Sequence, residues 1–181
     1  MSVAEEIIAL FERRGADAYF GERVSVSEHC LQAAHFASQQ GAAPALVVAA
    51  LLHDIGHLLE EVPADLADWP QDARHEQIGG AWLARRFRPE IAEPVRLHVP
   101  AKRYLCATNP HYVANLSPAS VHTLKLQGGP MGSHELAAFE TERYFRQAVQ
   151  VRQWDDAGKV EGLKTAGLSD YAAMIDGLSN R

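Results

Sequence analysis

The chain has 181 residues, 47% hydrophobic and 22% charged, a length and balance that suit one globular domain (residues 1–181) and exclude a disordered chain. With 17 basic residues against 23 acidic ones the net charge is −6, and no Lys/Arg cluster overrides it, so nucleic acid is not an expected partner. The longest apolar run, Ala42 to Leu52, contains Pro44 and is too short to span a bilayer, the N-terminus MSVAEEIIAL is acidic where a secretory signal is basic, and Cys30 and Cys106 are too few for a disulfide framework; a cytoplasmic protein without a membrane partner is expected.

Helical periodicity predicts a short amphipathic helix over Ala4–Arg13, ending near Gly15. A loop, Ala16–Val26, follows and carries Tyr19, Gly21 and Glu22. Ser25 with Glu28 has the spacing of a capping box, starting a second helix that Gly41 stops. Pro44 opens an apolar helix, Ala45–Leu59, expected to be central and buried. Asp72 is placed to cap a helix over Arg74–Phe87, and Pro89 opens another that carries His98 and that Pro94 should shorten or kink. Ser117-Pro118 starts a helix to about Leu126, Ser133 caps a long one to Arg152, and Ser169 or Asp170 begins a last short one. No stretch alternates β-branched and polar residues for long, so the expected class is all-α, a compact helical bundle.

Nine histidines are many for this length. The segment AALLHDIGHL puts His53 and Asp54 at the end of an apolar helix, where a buried aspartate costs several kcal/mol unless a cation or strong donors satisfy it. A His-Asp pair alone is weak evidence of a metal. His29, His75 and His98 on separate predicted helices, and Asp155 in VRQWDDAGK near the C-terminus, make it strong: four imidazoles and two carboxylates suit a pair of first-row ions, with Asp54 the natural bridge.

The order His … His-Asp … Asp resembles the HD superfamily of metal-dependent phosphohydrolases. AALLHDIGH, RHEQIGGAWL, HVPAKRYL, LSPASVHTLKLQGGPM and VRQWDDAGK resemble, over nearly the whole chain, its mixed-valent diiron oxygenases of the PhnZ and TmpB type. That resemblance implies an HD-domain bundle with two irons, Fe(II) and Fe(III). One would be held by His29, His53, Asp54 and Asp155, the other by Asp54, His75 and His98. It assigns a gating role to Tyr19, over the second iron, and amine recognition to Glu22, although the residues between Glu22 and Glu28 depart from the family pattern. It puts the last ligand directly after Trp154, with Asp156 one residue away.

Lys102 follows His98 by one helical turn, and Ser120 and Thr123 lie three apart at a helix start, so together they can hold a phosphonate; capping alone is the plainer reading of the two hydroxyls. His57 should face the same cavity, in an anion-binding or a structural role. His35, His111, His122 and His134 find no matching partner. Asp54, His57 and Lys102 are the expected catalytic residues. A carbon–phosphorus bond resists hydrolysis, because its carbanion is too poor a leaving group, so the resemblance implies oxidation by O₂. The expected substrate is a (1R)-1-hydroxy-2-aminoethylphosphonate, giving phosphate and glycine, or its N-trimethylated form, giving glycine betaine. Small neighbours (Val24, Ser25, Ser27) favour the methylated head group, for which Tyr19, Phe20 and Tyr104 offer aromatic faces. The alternative is an HD phosphohydrolase of a nucleotide or small phosphate ester, active without O₂; a polyol oxygenase and a non-enzymatic sensor are more distant.

Overall fold

In a computed structural model, which describes residues 1–19, 21–59 and 75–180, the all-α expectation holds. Ten α-helices and no strand occur among the described residues: α1 (Val3–Arg14), α2 (Val26–Gln39), α3 (Pro44–Leu51), α4 (His75–Ala84), α5 (Pro89–Thr108), α6 (Pro110–Ala114), α7 (Pro118–Leu126), α8 (Ser133–Glu140), α9 (Phe145–Ala157) and α10 (Ala172–Leu178). Two of the caps read from the sequence are used: Ser25 Oγ accepts from Glu28 N while the Glu28 carboxylate accepts from Ser25 N, and Ser117 Oγ accepts from Ser120 N; Ser133 is instead the first residue of α8, with Gly132 at the cap position. Asp72, Arg74 and Phe20 lie outside the described residues.

Three elements differ from expectation. The helix opened by Pro44 stops at Leu51, and a 3₁₀ turn, Ile55–His57, follows it. In contrast, α5 runs uninterrupted for 20 residues through both Pro94 and Pro100. A proline inside a helix costs roughly 3 kcal/mol, and here burial of Ile91, Val95, Leu97, Val99 and Leu105 outweighs that cost. The long helix expected from Ser133 is instead two, α8 and α9. Thr141 Oγ1 donates to the Ala138 carbonyl at 2.7 Å, an alternative to continuing the helical ladder.

Helix α5 packs against α3, α4 and α9, and α2 against α3 and α9. The main core joins α1, α2, α3 and α10 through Ile7, Phe11, Ala33, Leu51, Leu52 and Ile175; a smaller cluster of Leu97, Ala101, Met131, Phe139 and Ala148 lies between α5, α8 and α9. Among the described residues no helix is long and apolar enough to cross a membrane.

Candidate metal centre

Helix α3 is apolar on all sides and runs through the interior, with Leu46 to Leu51 all buried. It ends where the chemistry begins. Leu52 (φ −108°, ψ 9°) and Asp54 (φ −103°, ψ 14°) leave the helical region. Adjacent side chains on a continuous helix diverge by about 100°; the break lets His53 and Asp54 face one site. The turn then lies against α4 so closely that a Cβ on Gly56 would be 2.0 Å from the His75 carbonyl oxygen.

The imidazoles are aimed from behind. Nδ1 of His29 donates to the Gly158 carbonyl at 2.8 Å, Nδ1 of His53 to Ala50 at 2.8 Å and Nδ1 of His98 to Val95 at 2.7 Å. A carbonyl only accepts, so each Nδ1 carries the proton and each Nε2 turns inward. There His29 Nε2 and His53 Nε2 are 3.0 Å apart, and His75 Nε2 and His98 Nε2 are 3.2 Å apart. In the neutral rings of His29 and His53 these are opposed lone pairs, which repel unless a cation sits beside them.

Asp54 divides its carboxylate between the two pairs. Its Oδ2 is 3.4 Å from His53 Nε2 and 3.6 Å from His29 Nε2; its Oδ1 is 3.4 Å from His75 Nε2, 3.5 Å from His98 Nε2 and 3.9 Å from His57 Nε2. His29, His53 and Asp54 form one potential metal cluster, and Asp54, His75 and His98 a second. Asp155 joins the first: its Oδ1 lies 3.3 Å from His29 Nε2 and is buried without a hydrogen-bond partner among the described residues. Asp156 turns the other way, to Arg152 and Tyr112.

Burial drives the Asp54 pKa up, but the charge of His53 and hydrogen bonds from His53 and His98 outweigh it, and the carboxylate stays ionised well below its usual range. Burial likewise lowers His53, yet the charges of Asp54 and Asp155 raise it to about 9: without a metal, the pocket retains a proton where a cation belongs. Burial and the charge of His57 keep His75 neutral, the form that ligates. Inward lone pairs, an orphaned carboxylate oxygen and a shared aspartate are the donor set of a bound-metal site.

Tyr19 stacks on His29 at 3.9 Å between ring centroids, and its hydroxyl donates to Asp54 Oδ2 at 2.8 Å, the oxygen facing His29 and His53. The resemblance implies a place over the other pair, His75 and His98, whereas the ring lies on the His29 side. Burial, then the charges of Asp54 and Asp155, hold the phenol protonated. Tyr19 also lines a cleft of about 440 Å³, counted out through its open mouth, together with Asp54, His57, His75, His98, Lys102, Ser120, Thr123 and Glu22. His57 stacks on His75 at 4.1 Å. Lys102, only 2% exposed, donates to Thr123 Oγ1 at 2.9 Å, and burial, then the nearby Arg152 charge, lower its pKa to about 7. Glu22 lies at the cleft's outer end and accepts from Ser117 Oγ at 2.6 Å.

Thus every expected site residue lies in or around one cleft. Tyr104 does not: it packs on Phe139 and Phe145 and donates to Glu140. Of the remaining histidines, His111, His122 and His134 are exposed and His35 is half-buried. Two cleft residues were missed. Arg152 is buried, with Nη1 2.7 Å from Asp155 Oδ2 and Nε 3.1 Å from Asp156 Oδ2; it clamps the ligand carboxylate, and its i,i+3 spacing to Asp155 was a readable signal. Lys159, beyond the end of α9, gave none.

Residues 26–121 match the family model described as HD domain. The chain is 44% identical, over 96% of its length and 89% of the relative's, to [1-hydroxy-2-(trimethylamino)ethyl]phosphonate dioxygenase (glycine-betaine-forming) of Leisingera caerulea. It is 42% identical, over 95% of its length and 87% of the relative's, to hydroxymethylphosphonate dioxygenase of Gimesia maris. An uncharacterised protein of Acanthamoeba polyphaga mimivirus is 36% identical over 96% of this chain and 80% of that one.

Proposed function

Because the chain belongs to the HD-domain family and, within it, to the phosphonate dioxygenases, we propose that it cleaves the C–P bond of a small 1-hydroxyphosphonate with O₂. The product pair is phosphate and a carboxylate. The favoured substrate is 1-hydroxy-2-(trimethylammonio)ethylphosphonate, giving glycine betaine, with the unmethylated amine giving glycine. The observation that carries this reading is the juxtaposition in one cleft of a divided Asp54 carboxylate, facing two histidine pairs, and the buried Lys102–Thr123 anion anchor. Phosphonate and O₂ are its partners, with no nucleic acid or membrane involved. The whole chain acts as one HD domain in the cytoplasm.

Two irons, a mixed-valent Fe(II)/Fe(III) pair, fit the donor set: His29, His53 and Asp155 would hold one, His75 and His98 the other, with Asp54 shared. When bound they supply one-electron chemistry toward O₂ and a Lewis-acid anchor for substrate oxygens. The protein's own residues do the rest. Lys102, Thr123 and Ser120 take the phosphonate oxygens, and His57 approaches the same anion from the Asp54 side. The substrate's C1 is thereby turned toward the His75–His98 pair. Tyr19, protonated and bonded to Asp54, holds the bridge in place and shields it from water. Glu22 faces the ammonium end. The balance closes as hydroxyphosphonate plus O₂ to carboxylate, hydrogen phosphate and one proton, with one oxygen atom entering each product.

The test is phosphate release from the trimethylammonio and hydroxymethyl substrates by iron-loaded protein, with and without air. Phosphate and carboxylate should appear in equal amounts only with O₂. Phosphomonoester turnover at comparable efficiency under strict anaerobiosis would overturn the reading in favour of a hydrolase.

A further inference from the structure

At the outer end of the cleft four side chains close a ring. Ser117 Oγ donates to Glu22 Oε1 at 2.6 Å and lies 3.2 Å from Ser120 Oγ; Lys159 Nζ donates to Ser120 Oγ at 2.9 Å and stands 3.7 Å from Glu22 Oε1. The ring joins three segments: the loop after α1, the first turn of α7, and the residues just past α9. Arg23, beside Glu22, points outward to Glu161 at 3.3 Å, so among the described residues Lys159 is the cation paired with Glu22.

The Lys159 backbone is held at both sides. Gly158 O accepts from His29 Nδ1 at 2.8 Å, and Gln32 grips Val160 twice, Nε2 donating to its carbonyl at 2.8 Å and Oε1 accepting from its N–H at 2.9 Å. The ammonium is therefore delivered to a fixed place, between the hydroxyl that would face the phosphonate and the carboxylate that would face the head group.

Resting on the phosphonate reading above, we propose that Lys159 determines head-group selectivity. Its positive charge supports the anion through Ser120, which helps every phosphonate alike. The same charge already occupies Glu22, so a substrate that brings its own cation must displace or share that pairing, whereas a substrate ending at the hydroxymethyl carbon meets no such competition. Lys159 thus disfavours cationic head groups relative to neutral ones.

The test is anaerobic calorimetry on the metal-loaded protein with hydroxymethylphosphonate and 1-hydroxy-2-(trimethylammonio)ethylphosphonate. Lys159→Met should weaken the first markedly and the second little, raising the preference for the cationic compound by about tenfold, the scale of one charge-assisted contact. Lys159→Arg, which keeps the charge, should leave the preference near wild type, and Glu22→Gln added to Lys159→Met should abolish the gain. An equal weakening of both ligands would overturn the proposal, making Lys159 an anion contact alone. A shift toward the neutral compound would do so too, showing that Lys159 only props Glu22. If Lys159→Met does not fold, Lys159→Gln gives the same comparison. Wild-type protein that releases phosphate in air while the preference stays fixed sinks this role alone; wild-type protein that neither binds nor turns over either phosphonate sinks the dioxygenase reading with it.

Discussion

Lys102 carries the clearest residue-scale consequence. Its ammonium is buried against Thr123 and its pKa is lowered to about 7, burial first and Arg152 second. The group is cationic below that pH and loses its charge as pH rises through it. Phosphonate affinity should therefore fall above pH 7, approaching about tenfold per unit as binding must take up a proton. In Lys102→Arg, which stays charged, this alkaline limb should vanish from a plot of Kd against pH; a limb that persists would assign it to another group. Lys102→Ala should raise KM by roughly 10- to 150-fold, the equivalent of about 1.5–3 kcal/mol for a charge-assisted contact, with metal content unchanged. Much of this was legible in the sequence, because buried histidines, aspartates and a lysine one turn past a ligand are costly without a purpose. Arg152 is legible only through its i,i+3 spacing to Asp155, and Lys159 not at all. A lone cation in a sequence looks like solvated surface until the fold shows which carboxylate it faces.

At the scale of elements, sequence signals gave starts better than ends. Caps at Ser25 and Ser117 follow from local hydrogen bonding, which a few residues encode. The stop of α3 at Leu51 does not, since Leu52, Ile55, Leu58 and Leu59 carry the apolar pattern on past it; the break is what lets both His53 and Asp54 turn inward. Nor does the continuity of α5 through two prolines, where tertiary burial overrides local preference. The α3 break depends on Gly56. A Cβ there would sit 2.0 Å from the His75 carbonyl and 3.1 Å from Gly79 N, so α4 would have to move away, taking His75 with it. Gly56→Ala should cost about 1–3 kcal/mol, as overpacking generally does. It should also lose the metal held by His75 and His98 before the one held by His29, His53 and Asp155. Metal analysis should then give nearer one ion than two per chain; two retained ions with full stability would show that α4 accommodates the methyl group.

For the molecule as a whole, the ligand set matters because of where it comes from. His29 is on α2, His53 and Asp54 on the turn after α3, His75 on α4, His98 on α5 and Asp155 on α9, so bound metal ties together elements that otherwise meet through apolar contacts. Without metal the same centre is a liability: opposed imidazoles 3.0 and 3.2 Å apart, two ionised aspartates and a buried orphan oxygen. Removing the metal should therefore destabilise the fold itself. At a free concentration 100 times Kd, each ion adds about 2.7 kcal/mol, and a chain of this size gains about 2–4 °C in Tm per kcal/mol. Chelation should thus lower Tm by roughly 5–10 °C for each ion removed, reversibly on re-addition of Fe(II) under anaerobic conditions. Asp54→Ala removes the ligand common to both clusters, so its Tm should no longer respond to metal or chelator. A wild-type Tm indifferent to chelation, with metal shown to have left, would mean that the cluster is held by its protons and hydrogen bonds alone and that metal contributes nothing to the assembly of these helices.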